Sequence, residues 1–434
     1  MKYYSTNRQI SPVNFEEAIF RGLPADNGLF MPTTISVLPS SFFDALPSMS
    51  LPEIGFEVLS HFVDGEIPNS HLQTIIEQTL SFEIPLSKIK EGIYSLELFH
   101  GPTLAFKDVG ARFLARCLSY FTQQSNKELT VLVATSGDTG SAVANGFFNV
   151  PGVEVVILYP KGKVSGFQEQ QMTTLGGNIT ALEIDGTFDD CQHLVKQAFL
   201  DQQLRENCNL TSANSINVAR FLPQSIYYFY AWSKLSDDER QNVVFSIPSG
   251  NYGNLSAGLI AHKMGLPVKH FLACSNANNT VPMYLWNAKF EPKPSVATIS
   301  NAMDVGNPSN FVRMLDLFDG SHQKMIHKIS GYAYTDASTQ EIIQKIYALY
   351  GYILDPHGAV GYLGLVDYFK NNAGTGVVLE TAHPIKFRET VEKQILREVP
   401  MPTHIELTKL EKKSIPFSTN FDEFRSLLNQ KKKV

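Results

Sequence analysis

The sequence contains no apolar run near the roughly 18 residues that a bilayer-spanning helix needs, so no such helix is expected. Cysteine is scarce. Cys117, Cys191, Cys208 and Cys274 stand far apart, with no C-x-x-C pair and no Cys/His spacing suited to a metal. A disulfide scaffold and a structural metal site are therefore not expected, and a reduced, intracellular compartment is. There is no basic surplus either. The 36 Lys and Arg face 42 Asp and Glu, a net charge of −6, which argues against nucleic acid or an anionic membrane as the partner. The opening stretch MKYYSTNRQISPVNFEEA is too polar for a secretory signal, and the expected location is the cytoplasm. The basic run KKK at 431–433 reads as a solvated end. Neither G-x-x-x-x-G-K-[ST] nor G-x-G-x-x-G occurs, which removes the two common nucleotide loops.

What remains is 434 residues of ordinary globular composition, 43% hydrophobic and 18% charged, long enough for two or three domains. From about residue 128 the pattern alternates. Apolar, β-branched stretches at 128–135, 153–160, 178–185, 242–250, 268–275 and 376–382 read as buried strands. Between and after them lie helical patterns, among them 165–175, 189–204, 254–265, 338–351, 358–369 and 384–396. Such alternation predicts an α/β fold, with parallel sheets covered by helices on both faces. The expected organisation is a mostly helical portion at 1–85, an α/β lobe at 86–235, a second at 236–400, and a polar tail at 401–434 wrapping the surface.

Ligands in open α/β sheets bind beyond the carboxyl ends of strands, so the segments after each strand hold the candidates. The stretch TSGDTGSA (135–142) offers hydroxyls and backbone N–H groups before a helix, an anion cradle or else a tight turn capped by Thr139. Asp138 is out of place in such a cradle, because its charge opposes an anion. SGNYGN (249–254) forms a second cradle, where Gly250 and Gly253 permit close approach and positive φ, and Asn251 and Asn254 add amides. Its plain alternative is a glycine turn with an Asn cap. In NSINVARFLPQS (214–225), Asn217 and Arg220 could clamp a carboxylate or phosphate, or Arg220 could form a surface ion pair. YPKGKVSG (159–166) adds Lys161, Lys163 and Ser165, which read more simply as a solvated rim. In ELFHGPTLAFKD (97–108) a lysine, Lys107, ends an apolar run, and apolar neighbours disfavour its cation, which suits an amine nucleophile.

In order along the chain, ELFHGPTLAFKD, ATSGDTGSA, YPKGKVS, GTFDDCQ, NSINVAR, PSGNYGN, AMDVGNPSN and TAHPIKF resemble the sequence blocks of the threonine synthases. These are pyridoxal-phosphate enzymes of fold type II. Residues 5–32 resemble the family's N-terminal portion, so the likeness runs over nearly the whole chain. Tyr252 stands where Phe is common and Ile385 where Ala is common. The resemblance implies that Lys107 bonds covalently to pyridoxal 5'-phosphate and acts as the catalytic base. It implies that Gly250, Asn251, Tyr252, Gly253 and Asn254 hold the cofactor phosphate and that Thr381 faces the pyridine nitrogen. A hydroxyl there suits an unprotonated ring nitrogen. Thr135, Ser136, Gly137, Asp138 and Thr139 would meet the substrate carboxylate, and Asn217, Arg220, Lys163 and Ser165 the substrate's phosphate.

The implied reaction is γ-elimination of phosphate from O-phospho-L-homoserine followed by addition of water at Cβ, giving L-threonine. A phospholyase releasing a keto acid is the nearest rival. An amino-acid dehydratase or a cysteine synthase would need no second anion site. A catalytically silent, metabolite-binding relative is a rival of another class, against which the complete lysine motif argues.

Overall fold

The computed structural model describes residues 1–125, 128–403, 405 and 411–431. By internal contacts the chain forms two compact units that interleave in sequence. One comprises Met1, residues 31–106 and residues 221–403; the other comprises residues 2–30, 107–220 and the described residues beyond 403.

The first unit is built on a six-stranded sheet. In spatial order its strands are Ile329–Ala333, His270–Ser275, Val243–Pro248, Thr375–Glu380, Ile93–Glu97 and Leu86–Lys90. All neighbours are parallel except the last pair, which is antiparallel with a register shift between Lys88 and Lys90. Val243–Pro248 and Thr375–Glu380 are buried at every position, as a sheet covered on both faces requires. Because Ile93–Glu97 pairs with Thr375–Glu380, residues 86–97 belong to this sheet. They do not open a lobe running to 235, and the expected consecutive division at 85, 235 and 400 is replaced by the interleaved one. Within residues 1–85, four helices include Leu51–Val63, started by a capping box in which Ser50 and Glu53 satisfy each other's backbone N–H groups.

The second unit carries a five-stranded parallel sheet in the order Ile415–Phe417, Ile179–Ile184, Val153–Pro160, Leu129–Ala134 and Leu210–Ser212. Leu129 pairs with Val153 and the register runs unbroken to Ala134 with Leu158. The tail expected to wrap the surface does otherwise. Ile415–Phe417 adds an edge strand, and helix Phe421–Lys431 places Phe424 and Leu428 in the core beside Leu194, Leu204 and Cys208. Its apolar residues recur at i and i+4, a spacing that a mostly polar composition concealed. Residues 432 and 433 of the basic run lie outside the described residues. Among the described residues no helix is long and apolar enough to cross a membrane.

Helix Lys107–Ser125 crosses this unit with Val109, Phe113, Leu114, Cys117, Leu118 and Phe121 buried. At Gly110 a Cβ would lie 2.4 Å from the backbone oxygen of Arg220. Elsewhere in a helix Gly→Ala stabilises by about 1 kcal/mol. Here the carbonyl cannot yield, and Gly110→Ala is expected to destabilise by about 1–3 kcal/mol, seen as a lower urea midpoint at unchanged slope.

Candidate active site

In the first unit, strand Val243–Pro248 is followed by Ser249, and helix Gly253–Lys263 begins four residues after it. The first N–H groups of any helix lack carbonyl partners within it and carry the positive end of its dipole. The connecting loop is pressed against its neighbours. A Cβ on Gly250 would approach Met303 Cα to 2.6 Å and the Ala302 oxygen to 3.1 Å, so only glycine fits. Positive φ, expected at the glycines, is instead adopted by Tyr252 at +59°. Its hydroxyl hydrogen-bonds Ser275 at 2.5 Å, which holds this disfavoured conformation in place. Burial pushes that phenol well above its ordinary pKa, so it stays protonated.

The two asparagines of the loop play different parts. Asn251 Oδ1 accepts from the Ser309 N–H at 2.6 Å and the Ser309 hydroxyl at 2.7 Å. Asn254 is a brace. Its Nδ2 donates to the Pro248 carbonyl at 2.9 Å and its Oδ1 accepts from the Leu255 N–H and the Ser249 hydroxyl. What Asn254 offers a ligand is therefore its backbone. The donor set is backbone N–H at a helix start with no carboxylate in the loop, and it suits a phosphate dianion.

Thr381 follows strand Thr375–Glu380 and is buried. Its carbonyl accepts the Phe106 N–H at 2.9 Å, and Ala105 forms an antiparallel bridge with Ala382. The Phe106 carbonyl accepts the Tyr227 hydroxyl, and Lys386 Nζ donates to the Thr103 carbonyl at 2.8 Å. The segment leading to Lys107 is thus clamped on both sides at the end of that strand. Among the described residues the Thr381 hydroxyl makes no hydrogen bond, which leaves it open to a ligand.

In the second unit, Lys107 is the first residue of its helix and is half-buried. The 135–139 loop links strand Leu129–Ala134 to helix Asp138–Phe147. Thr135 shapes it from within, its hydroxyl accepting the Gly137 N–H at 3.0 Å and the Gly140 N–H at 2.8 Å. Gly137 has φ +143°, and a Cβ there would meet Gln168 Oε1 at 2.5 Å. The puzzle of Asp138 resolves through the same residue. Asp138 is buried and its Oδ1 accepts from Gln168 Nε2 at 2.7 Å, so it anchors the loop to helix Gly166–Thr173. Ser136 and Thr139 remain half-buried, with hydroxyls that make no hydrogen bond among the described residues.

The expected second anion site holds together less well. Asn217 uses both amide hydrogens on carbonyls, Ile19 at 2.9 Å and Ser212 at 3.0 Å, and its oxygen accepts the Ala219 N–H. It is a backbone clamp and has no donor left for a phosphate. Ser165 caps helix Gly166–Thr173 through a reciprocal bond with Gln168. Lys161 and Lys163 are exposed. Arg220 is buried and donates to the Ala213 carbonyl, which rules out a solvated surface ion pair.

Gln168, Asp355, His357 and Glu380 were not singled out from the sequence. For Asp355 and His357 a signal existed: Asp-Pro-His before a helix is an N-cap followed by proline at N1. All four cysteines are buried and outside any disulfide, and burial pushes the Cys191 and Cys274 thiols up to about 12, so neither is a nucleophile.

Known proteins share this architecture. The pyridoxal-phosphate dependent enzyme family matches residues 76–379, the threonine synthase N terminus 2–80, and the threonine synthase C-terminal family 358–426. Threonine synthase of Haemophilus influenzae is 46% identical over 402 residues, 93% of each chain. The crystal structure of threonine synthase from Escherichia coli superposes with a TM-score of 0.93 at 41% identity, covering 99% of this chain and 100% of that one. The crystal structure of pyridoxal-phosphate-bound threonine synthase from Brucella melitensis gives 0.93 at 32% identity over both complete chains. Likeness of this depth, from the first residues through the C-terminal helix and on the expected fold type II architecture, makes the chain a member of the pyridoxal-phosphate-dependent threonine synthase family.

Proposed function

We propose that this enzyme converts O-phospho-L-homoserine and water to L-threonine and phosphate, in the cytoplasm, with the residues in the following roles. Bound pyridoxal phosphate supplies the electron sink that stabilises negative charge on the substrate. The N–H groups of Gly250 to Asn254 hold the cofactor's phosphate, and the Thr381 hydroxyl donates to its ring nitrogen. Lys107 Nζ retains the cofactor covalently at rest. As a free amine it takes the proton from the substrate's Cα and, once it has passed that proton on and is neutral again, one from Cβ. The backbone N–H groups at the start of helix Asp138–Phe147, with the Ser136 and Thr139 hydroxyls, receive the substrate carboxylate. Thr135, Gly137 and Asp138 give that loop its shape. Arg220 and Lys163 supply positive charge for the departing phosphate. Asn217 and Ser165 act by fixing backbone.

The observation that carries this reading is the clamp on residues 105–106 by Thr381 and Ala382, which delivers the chain into Lys107 from the strand end that presents the open Thr381 hydroxyl. The test is phosphate release from O-phospho-L-homoserine with chromatographic identification of the organic product. Threonine equal in amount to phosphate is expected. A keto acid with ammonia in its place would show a phospholyase.

A further inference from the structure

One buried polar cluster in the first unit has no part in the roles above. Asp355, His357 and Glu380 are all at most 2% exposed. Asp355 is the N-cap of helix Pro356–Tyr368, its carboxylate accepting the His357 N–H at 2.8 Å and the Gly358 N–H at 3.1 Å. The same carboxylate lies 2.5 Å from His357 Nδ1. On the far side of the ring, His357 Nε2 is 3.2 Å from the backbone nitrogen of Ala302. A backbone N–H only donates, so Nε2 is the acceptor and the ring proton sits on Nδ1, held by Asp355.

That tautomer matters because of where Ala302 lies. The Ala302–Met303 backbone is the surface against which Gly250 is packed, close enough to exclude a Cβ. In the other direction the Asp355 N–H donates to Glu380 Oε1 at 2.6 Å, and Glu380 directly precedes Thr381. A three-residue turn, Asp355-Pro356-His357, therefore ties the backing of the phosphate loop to the strand end that carries Thr381. Packing alone does not call for a buried carboxylate and imidazole here, since a phenyl ring would fill the same space without desolvating either group.

We propose that His357, oriented by Asp355, is a positioning residue for the cofactor's phosphate: its Nε2 fixes the Ala302–Met303 backbone and through it the Gly250 loop. This rests on the reading that residues 250–254 hold that phosphate. The pair touches neither cofactor nor substrate; its effect is the spacing of the N–H groups that do.

The experiment uses the full-length enzyme stripped of cofactor and titrated separately with pyridoxal phosphate and with pyridoxal, which lacks the phosphate, following quenching of protein fluorescence. His357→Phe removes acceptor and donor while keeping a ring. It is expected to weaken pyridoxal phosphate binding by about tenfold, the scale of one well-placed hydrogen bond, and to leave pyridoxal binding within about twofold. His357→Gln, whose amide oxygen can again accept from Ala302, is expected to recover most of the loss. Equal loss for both ligands, or no loss for either, overturns the proposal. Gly250→Ala in parallel separates the two ideas. If it too leaves the preference for the phosphorylated ligand unchanged, the loop assignment fails; if it abolishes that preference while His357→Phe does not, only the positioning role fails. Should His357→Phe not fold, Ala302→Pro removes the donor and leaves the Asp355–His357 pair intact, with the same expectation for the two ligands.

Discussion

Lys107→Ala is expected to lower turnover by at least about a thousandfold, the usual scale for losing a positioned proton-transfer group, and to end covalent retention of the cofactor. Borohydride treatment followed by digestion and mass spectrometry should find the cofactor's mass on Lys107 in the parent and on no lysine in the variant. The fold is expected to survive, because Lys107 opens helix Lys107–Ser125 and alanine is the strongest helix former. A melting temperature within a few degrees of the parent would confirm that chemistry alone was removed. The proposed role asks one lysine to serve two proton transfers. The residues before it are bonded to Thr381 and Ala382, which fixes the point from which its flexible stem starts. Its place in the first turn of a helix also sets it at the positive end of the dipole, where a cation is disfavoured and a neutral amine is not. Retained turnover with a second lysine modified would remove Lys107 from the mechanism.

Much of this frame was legible in the sequence, and what escaped has a common cause. The buried strands 153–160 and 178–185 stood out because β-branched runs bounded by turn residues leave little choice, and the structure places them at Val153–Pro160 and Ile179–Ile184. The loops 135–139 and 249–254 stood out because glycine and hydroxyl residues cluster after a strand. Partners distant in sequence did not. Nothing near Asp138 announces Gln168, 30 residues on, nor does anything near Asn217 announce the carbonyl of Ile19, 198 residues back. Asn217 and Ser165 therefore looked like ligand-binding groups when Asn217 was already committed to backbone and Ser165 to the backbone and side chain of Gln168. Composition misled at the C-terminus, where a polar average hid Phe424 and Leu428 one helical turn apart. Residue type misled at the 249–254 loop, where strain expected of Gly250 or Gly253 falls on Tyr252, because a hydrogen bond to Ser275 compensates what the backbone resists.

The largest expected effect on stability comes from a single methyl group, in Gly358→Ala. Gly358 lies in the first turn of helix Pro356–Tyr368, where alanine ordinarily improves stability. A Cβ there would stand 1.6 Å from Glu380 Oε2 and 2.2 Å from its carboxyl carbon. The carboxyl has nowhere to retreat. It is fully buried, its other oxygen holds the Asp355 N–H, and its backbone belongs to a strand paired on both sides. The substitution is expected to destabilise by about 3 kcal/mol or more, measured by urea unfolding. Glu380→Ala in the same chain should return part of that loss, since it removes the atoms struck. The protonation state of Glu380 adds a signature in pH. Burial, and then the neighbouring Asp355 charge, hold its carboxyl well above the ordinary carboxylate range, so it is neutral in the folded protein where an unfolded chain would ionise it. The folded state binds the extra proton, so this contribution is fully present below the unfolded pKa and declines as pH rises through the folded one. Glu380→Gln, neutral at every pH and of the same shape, should flatten that decline, which sets in near the ordinary carboxylate pKa, so the variant gains on the parent progressively as pH rises from acid through neutrality. A parent whose stability fails to fall with rising pH relative to Glu380→Gln would mean that Glu380 is ionised in place, and that the strand end carrying Thr381 is held by charge.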